Sequence, residues 1–421
     1  MPRPVQTAIW ARQAQWMLIQ GRRRLGSMFT LEIAYEGTWV VVSDPELVKQ
    51  VFTGDPKVFH AGEGNDILRP LLGVNSLLTL DEDAHMSQRK LLLPPFHGRR
   101  MAGYEETMRE IAAREIESWP TGVPYRLRPR MQAMTLEIII ETVFGISGGP
   151  RLADLREALR SFLDLTTSPR MLVPMLALGP DRIRSYAPFR RRVDRVAELI
   201  VGEISERRVA ADLEERDDVL SLLVTARHED GSPMSDAEIH DQLLTLLVAG
   251  HETTATALSW AVERLVRHPD KLERLRAEIE AGEDAYLTAT IQETLRLRPV
   301  ISIVLRRLTE ATEMGGYELP AGVSVVPSIH LVHRDPTIYP EPERFRPERF
   351  LETPPGTYTW IPFGGGVRRC LGASFAQQEM AIVLRELVAR RRIRPSDPAP
   401  ERNFRRAITE TPRRDAEVVL T

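Results

Sequence analysis

One cysteine, Cys370, is the only thiol in 421 residues. That excludes an internal disulfide, and with it any zinc or iron–sulfur site built from several cysteines of one chain. An excess of charge of one sign is also lacking: 56 lysines and arginines stand against 59 aspartates and glutamates, a formal net charge of −3. So small a balance gives no reason to expect nucleic acid as a partner. The nine histidines are scattered without metal-ligand spacing. No apolar run reaches the length of a membrane-spanning helix. Internal repeats and low-complexity segments are missing, and strand signals are few.

What is present is an even spread of 43% hydrophobic and 27% charged residues, as expected of a single globular domain covering residues 1–421. The first 26 residues have neither the apolar core nor the small-residue cleavage site of a signal peptide. They are amphipathic, with Trp10, Trp16, Met17, Leu18 and Ile19 set among Arg12, Arg22, Arg23 and Arg24. An ordinary docked first helix is expected rather than a helix lying on a membrane surface. With no anchor, the expectation is a cytoplasmic, bacterial-type protein, acting as a monomer.

The longest helical pattern runs from about Ser235 to His268, ahead of Pro269. Ser235 and Glu238 have capping-box spacing. Its flanks, including Leu243, Leu244, Leu246, Leu247, Val248 and Ala249, are apolar around most of the circumference, which predicts a helix buried through a large core. The middle, Ala249–Gly250–His251–Glu252–Thr253–Thr254, breaks that logic. Glycine costs a helix about 1 kcal/mol against alanine, and Glu252 sets a carboxyl in the core. Poor choices for folding mark a site. Short apolar runs at Thr38–Val42 and Val323–Pro327 predict strands, and Gly315–Gly322 is dense in turn residues. The predicted class is mainly α with small β-sheets.

From His333 to Gly366 the chain is proline-rich and irregular, with Pro336, Pro340, Pro342, Pro347, Pro354, Pro355 and Pro362. Long ordered coil is more often functional than accidental. It leads into Phe363–Gly364–Gly365–Gly366–Val367–Arg368–Arg369–Cys370–Leu371–Gly372, then a helical pattern to about Arg391. A sulfur at a helix N-terminus meets free N–H groups and the positive end of the dipole, which favour thiolate. Arg368 and Arg369 add positive charge, and glycines let the backbone approach a flat partner. A shielded thiolate is what an axial ligand to heme iron requires. A nucleophilic cysteine needs a base, and none is local; a buried filler needs none of this setting.

Phe363-x-x-Gly366-x-Arg368-x-Cys370-x-Gly372 resembles the heme-binding loop signature of the cytochrome P-450 family. Ala249–Gly250-x-Glu252–Thr253–Thr254 resembles the oxygen-activating stretch of that family's long central helix. Glu293-x-x-Arg296 resembles its ExxR motif, and Phe345–Arg346–Pro347–Glu348–Arg349–Phe350 its meander. The resemblance covers essentially the whole chain, with residues 333–372 as meander and heme loop.

The resemblance implies heme b held by Cys370, with a structural triad of Glu293, Arg296 and Arg349 pinning the cysteine loop. Glu293 and Arg296, at i and i+3, share a helix face. Propionate partners are expected at His85, Arg89, Arg306 and Arg368; His85 and Arg89 share a face at i and i+4. Strand alternation sends one of Arg306 and Arg307 toward the heme, and Arg306 is the choice. Glu252 would relay protons from water and Thr253 would hold dioxygen by its hydroxyl.

The implied pocket is lined by Ala61–Leu78, Asp164–Leu178, the central helix at Thr245, Val248 and Ala249, and Ile301–Val304, including Ser302 and Val304. Its apolar lining predicts a lipophilic substrate of the fatty-acid, terpenoid or steroid class. Two departures stand out: Ser302 sits where such relatives often have proline, and Ala281–Tyr286 is short. Nothing after Cys370 has room for a fused reductase, so electrons are expected from a ferredoxin and ferredoxin reductase, docking near Arg99, Arg100, Arg368 and Arg369. The rival readings are a peroxide-driven peroxygenase, a heme isomerase or dehydratase, and a non-catalytic heme carrier or gas sensor.

Overall fold

The computed structural model describes every residue except Ser147, Gly149, Thr167, Pro169 and Arg170, together with all side chains but those of Arg99, Pro150, Leu172 and Leu176. The expected pocket segment Asp164–Leu178 falls partly outside the described residues. The chain divides into two compact units. The larger comprises residues 1–59, 108–134 and 253–421; the smaller comprises residues 60–107 and 135–252.

The fold is mainly helical with small sheets. In the larger unit the first helix, Arg3–Leu25, starts with Pro4 in its first turn, where a missing N–H costs nothing. It buries Trp10, Ala14, Met17 and Leu18 and leaves Trp16 exposed. Trp10 meets Trp39 edge to face, ring centroids 5.1 Å apart, so this helix packs onto the sheet. Among the described residues, no helix is long and apolar enough to cross a membrane.

The two expected strands appear one residue from their predicted starts, as Gly37–Val42 and Ser324–Pro327, and they pair in parallel. Met28–Ile33 adds antiparallel to the first and Arg306–Leu308 to the second. Gly315 and Gly316 take positive φ in the tight turn between Thr312–Met314 and Tyr317–Leu319. Phe52, Val48, Val325, Leu308 and Ile361 share one apolar cluster under the sheet. Ile361, two residues before the loop that ends in Cys370, is thereby packed with the sheet residues.

The long helix spans Asp236–Val266, 31 residues. Its capping box forms as read: the Ser235 amide donates to Glu238 Oε2 at 2.8 Å, and the Glu238 amide to Ser235 Oγ at 3.2 Å. Pro269 opens the next helix, Pro269–Glu280. The short join after it is closed by Glu278, whose carboxylate accepts the Tyr286 and Leu287 amides at 2.7 and 2.9 Å. Glu278 thus caps the helix Ala285–Leu297, which carries Glu293 and Arg296.

In the smaller unit, Arg207 on the helix Ala187–Arg208 is buried and donates to Asp218 at 2.5 Å and to the Phe144 carbonyl at 2.6 Å. A buried arginine is tolerated only when its donors are matched in this way.

Candidate active site

Glu293 and Arg296 are both fully buried. Arg296 Nε and Nη2 reach the two carboxylate oxygens of Glu293 at 2.7 and 2.9 Å, a bidentate pair. The rest of the guanidinium donates to the carbonyls of His333 at 2.7 Å, Pro342 at 2.8 Å and Arg344 at 3.3 Å. Arg349 Nε approaches Glu293 at 3.1 Å, and the Arg346 amide donates to it at 2.8 Å. The Tyr339 ring lies under both guanidinium groups, 5.1 Å from Arg296 and 6.0 Å from Arg349. The structure brings the three expected residues together, and the network stitches an irregular segment that has no ladder of its own.

Two residues that sequence reasoning passed over carry the network to the cysteine loop. His333 is fully buried; Arg296 O lies 3.2 Å from its Nδ1, and its Nε2 accepts the Ile361 amide at 2.8 Å. Burial, reinforced by the Arg296 and Arg334 charges, holds its pKa well below the usual histidine value. The ring is therefore neutral, with the proton on Nδ1. Trp360 adds a second tie, its indole N–H donating to the Gln292 carbonyl at 3.1 Å. The only signal in the sequence was the position of His333 at the head of the proline-rich stretch.

The loop itself closes on the Cys370 amide, which donates to the Phe363 carbonyl at 2.9 Å. Gly364 and Gly366 take φ of +67° and +65°. A Cβ on Gly366 would overlap the Phe52 carbonyl oxygen, and one on Gly365 the Phe52 ring. These glycines are thus required by backbone shape and close approach together. Cys370 is exposed at the end of this frame. Gly372 is the N-cap of the helix Ala373–Arg390, so the sulfur sits just ahead of that helix's N-terminus. Arg368 is half-buried and Arg369 exposed.

Arg306 is buried, with Nη1 donating to the Leu305 carbonyl at 2.7 Å. Arg307 points the other way and donates to the Gly322 and Glu36 carbonyls at 2.8 and 3.1 Å. Val304 packs at the edge of the cluster containing Phe52. Ser302 donates to Glu410 Oε1 at 3.4 Å. Burial pushes the Glu410 carboxyl above its usual pKa.

In the smaller unit, His85 is buried and Arg89 half-buried on the helix Glu82–Leu92. Thr245 is buried, its hydroxyl 2.7 Å from Ser76 Oγ and 2.6 Å from the Asp241 carbonyl. Arg100 forms an ion pair with Asp217 at 2.7 Å.

Along the long helix, Gly250 is the notch: a Cβ there would come within 3.1 Å of Ile139. The Thr135 hydroxyl donates to the His251 carbonyl at 3.2 Å. Glu252 is buried, whereas Ala249 is exposed and Thr253 and Val248 are half-buried in a helix otherwise largely enclosed here. Ala249 and Thr253, at i and i+4, share one face.

A buried carboxylate–guanidinium network behind a loop that ends in one exposed cysteine is an arrangement consistent with a heme-thiolate oxidoreductase. The comparisons agree: the cytochrome P450 family model matches residues 5–416, and the chain belongs to the cytochrome P450 family of monooxygenases.

Its relatives include cytochrome P450 135B1 of Mycobacterium bovis, 44% identical, the match covering 98% of this chain and 89% of the relative. Cytochrome P450 137 of Mycobacterium tuberculosis is 37% identical over 99% of this chain and 89% of the relative. Among solved structures, the retinoic acid-bound cyanobacterial CYP120A1 superposes with a TM-score of 0.88 at 26% identity, covering 99% of this chain and 96% of that one.

Proposed function

We propose that this chain binds heme b through the Cys370 thiolate and inserts one oxygen atom from O2 into a C–H bond or double bond of a lipophilic small molecule. The observation that carries this reading is the loop Phe363–Cys370, held by the backbone bonds from Cys370 to Phe363 and from Arg369 to Gly366 and by Gly365 and Gly366 packed against Phe52, with Cys370 exposed at its end. A loop so fixed presents the exposed sulfur at a defined position, as an axial ligand to iron requires. A thiolate-ligated heme, when bound, supplies the activation of dioxygen toward O–O cleavage.

The protein's own part is positioning and proton management. His85, Arg89, Arg306 and Arg368 would hold the propionates. Arg307 is engaged with two backbone carbonyls, which supports assigning Arg306 rather than its neighbour. Thr253, half-buried beside exposed Ala249, offers a hydroxyl that can hold dioxygen and orient a proton. Buried Glu252, one residue earlier, can carry protons inward from water. Val248, Ala249, Ser302 and Val304 would shape the pocket; Thr245 would contribute its backbone and methyl, since its hydroxyl is engaged with Ser76 and Asp241. A structural relative holds retinoic acid, a long apolar chain with one polar end, which favours substrates of the fatty-acid, terpenoid or steroid class.

Electrons would come from a ferredoxin and its reductase, with the chain acting as a cytoplasmic monomer. Exposed Arg369 and half-buried Arg368 offer the docking charge, and Arg100 is already paired with Asp217.

The test is the spectrum of the reduced, carbonyl-bound protein. A strongly red-shifted Soret band is expected, lost in Cys370→Ala; a band without the shift sinks the reading. A spectral-shift screen against fatty acids, terpenes and steroids then identifies the substrate class.

A further inference from the structure

The segment between residues 60 and 82 is gathered at its neck by one imidazole. Glu63 Oε1 lies 2.9 Å from His60 Nδ1, and Glu82 Oε1 lies 2.9 Å from Nε2. A third carboxylate, Asp81, approaches Nδ1 at 3.8 Å. Carboxylates only accept, so both ring nitrogens must donate for both bonds to form. A neutral imidazole has a single N–H. The geometry therefore suits the imidazolium and breaks one bond in the neutral ring.

The surroundings tighten the same neck. Asp81 accepts the amides of Gly62 and Glu63 at 2.8 and 2.9 Å. A Cβ on Gly62 would stand 2.6 Å from Asp81 Oδ2 and 2.7 Å from the Leu80 carbonyl oxygen, so only glycine lets the two strands of the neck meet. Asn65 Nδ2 donates to the Leu78 carbonyl at 3.3 Å. Glu82 sits at φ +49°, a left-handed conformation that strains a non-glycine residue. That strained residue supplies the carboxylate on Nε2.

We propose that His60 is a proton-operated clasp: protonated, it closes the segment 61–80, and on losing its proton it lets that segment open. This rests on the reading of residues 61–78 as pocket wall, and it makes the clasp a control on access to the heme.

The charged groups facing the ring are Glu63 from the turn Ala61–Gly64, Asp81 at the N-cap of the helix Glu82–Leu92, and Glu82 in that helix's first turn. Burial opposes the charge, but the Glu63 bond, the Asp81 field and the Glu82 bond outweigh it, and the pKa is raised. A raised base stabilises the closed form fully below about pH 6.5, the unperturbed value. That stabilisation is lost as pH climbs through the raised value, so the segment opens on the alkaline side.

The test uses the heme-loaded protein. Hydrogen–deuterium exchange, corrected for intrinsic rates, reads the amides of residues 62–65 and 78–82 from about pH 6 to about pH 9. Protection there is expected to fall several-fold, by about tenfold for each pH unit by which folding raises the imidazole pKa. Carbon monoxide, a neutral probe, is expected to rebind faster after flash photolysis over the same window. His60→Gln should flatten both profiles, and Glu82→Gln should move their midpoint to lower pH. Protection that ignores pH, or follows it equally in His60→Gln, overturns the clasp. Protection that changes while carbon monoxide rebinding does not overturns the control of access. The carbonyl spectrum of the same sample reports thiolate ligation separately.

Discussion

Arg296 and Glu293 meet through two parallel hydrogen bonds at 2.7 and 2.9 Å with no exposed surface on either side chain. A pair so placed is costly to bury and more costly to break, because the survivor keeps its charge without water. Replacing Arg296 with leucine is expected to destabilise the fold by about 3–5 kcal/mol. Arg296→Lys keeps the charge yet loses the fork and, with three donors in place of five, at least two of the five hydrogen bonds, so it should still bind heme poorly. The measurement is heme content per chain, with circular dichroism as the check on folding. Wild-type heme content in Arg296→Lys would refute the role of the fork.

Gly366 offers a sharper test of the loop. Its φ is +65°, and a Cβ would overlap the Phe52 carbonyl oxygen, which belongs to backbone and cannot swing aside. Gly366→Ala is expected to cost about 1–2 kcal/mol from the left-handed conformation alone, with the clash in addition. The loop is expected to shift, lowering heme occupancy and broadening the Soret band of the reduced carbonyl form. Gly103, whose Cβ would meet nothing within 4 Å, is the control; its alanine variant should load heme normally.

Thr253 and Glu252 are adjacent but differently placed, the first half-buried and the second buried. That difference separates their proposed roles. Thr253→Ala should leave electron consumption nearly intact and divert it to hydrogen peroxide, so product per electron pair consumed falls. Glu252→Gln should slow turnover itself, by about 10²- to 10⁴-fold as for a lost proton carrier. Both ratios are measured with a substrate found in the spectral-shift screen. Full coupling in Thr253→Ala would remove it from oxygen handling.

The parts of this site that were legible in sequence are those written locally. The capping box Ser235–Glu238, the i, i+3 pair Glu293–Arg296 and the glycine-spaced loop before Cys370 each span ten residues or fewer. The links between them are long-range: Arg349 reaches Glu293 across 56 positions, and His333 reaches Ile361 across 28. No periodicity marks such contacts. His333 in particular looked like one histidine among nine, because its neutral, doubly bonded state comes from burial that only the fold creates. Even composition likewise hid the division into two units, since both are built from the same kinds of helix.

His330 and His333 are both fully enclosed. Burial, added to the neighbouring Arg334 charge, drives each pKa well below the ordinary value near 6.5. A base with a lowered folded pKa takes up its proton only on unfolding, so its contribution to stability is lost as pH falls below about 6.5. Glu379 and Glu410 work the opposite way, since burial raises both carboxyl pKa values. Their stabilisation is full below about 4.5 and fades as pH rises. Total stability would therefore mix two opposing slopes, whereas a variant isolates one. Unfolding in urea near pH 5.5 should take up about one proton fewer in His330→Gln than in the wild type, measured by titration in weakly buffered solution. In free-energy form, the gap between the two proteins should change by about 1.4 kcal/mol per pH unit below about 6.5, to the disadvantage of the wild type. Equal proton uptake would mean that His330 is already charged in the folded protein, against its position beside Arg334 with Nδ1 3.1 Å from a guanidinium nitrogen.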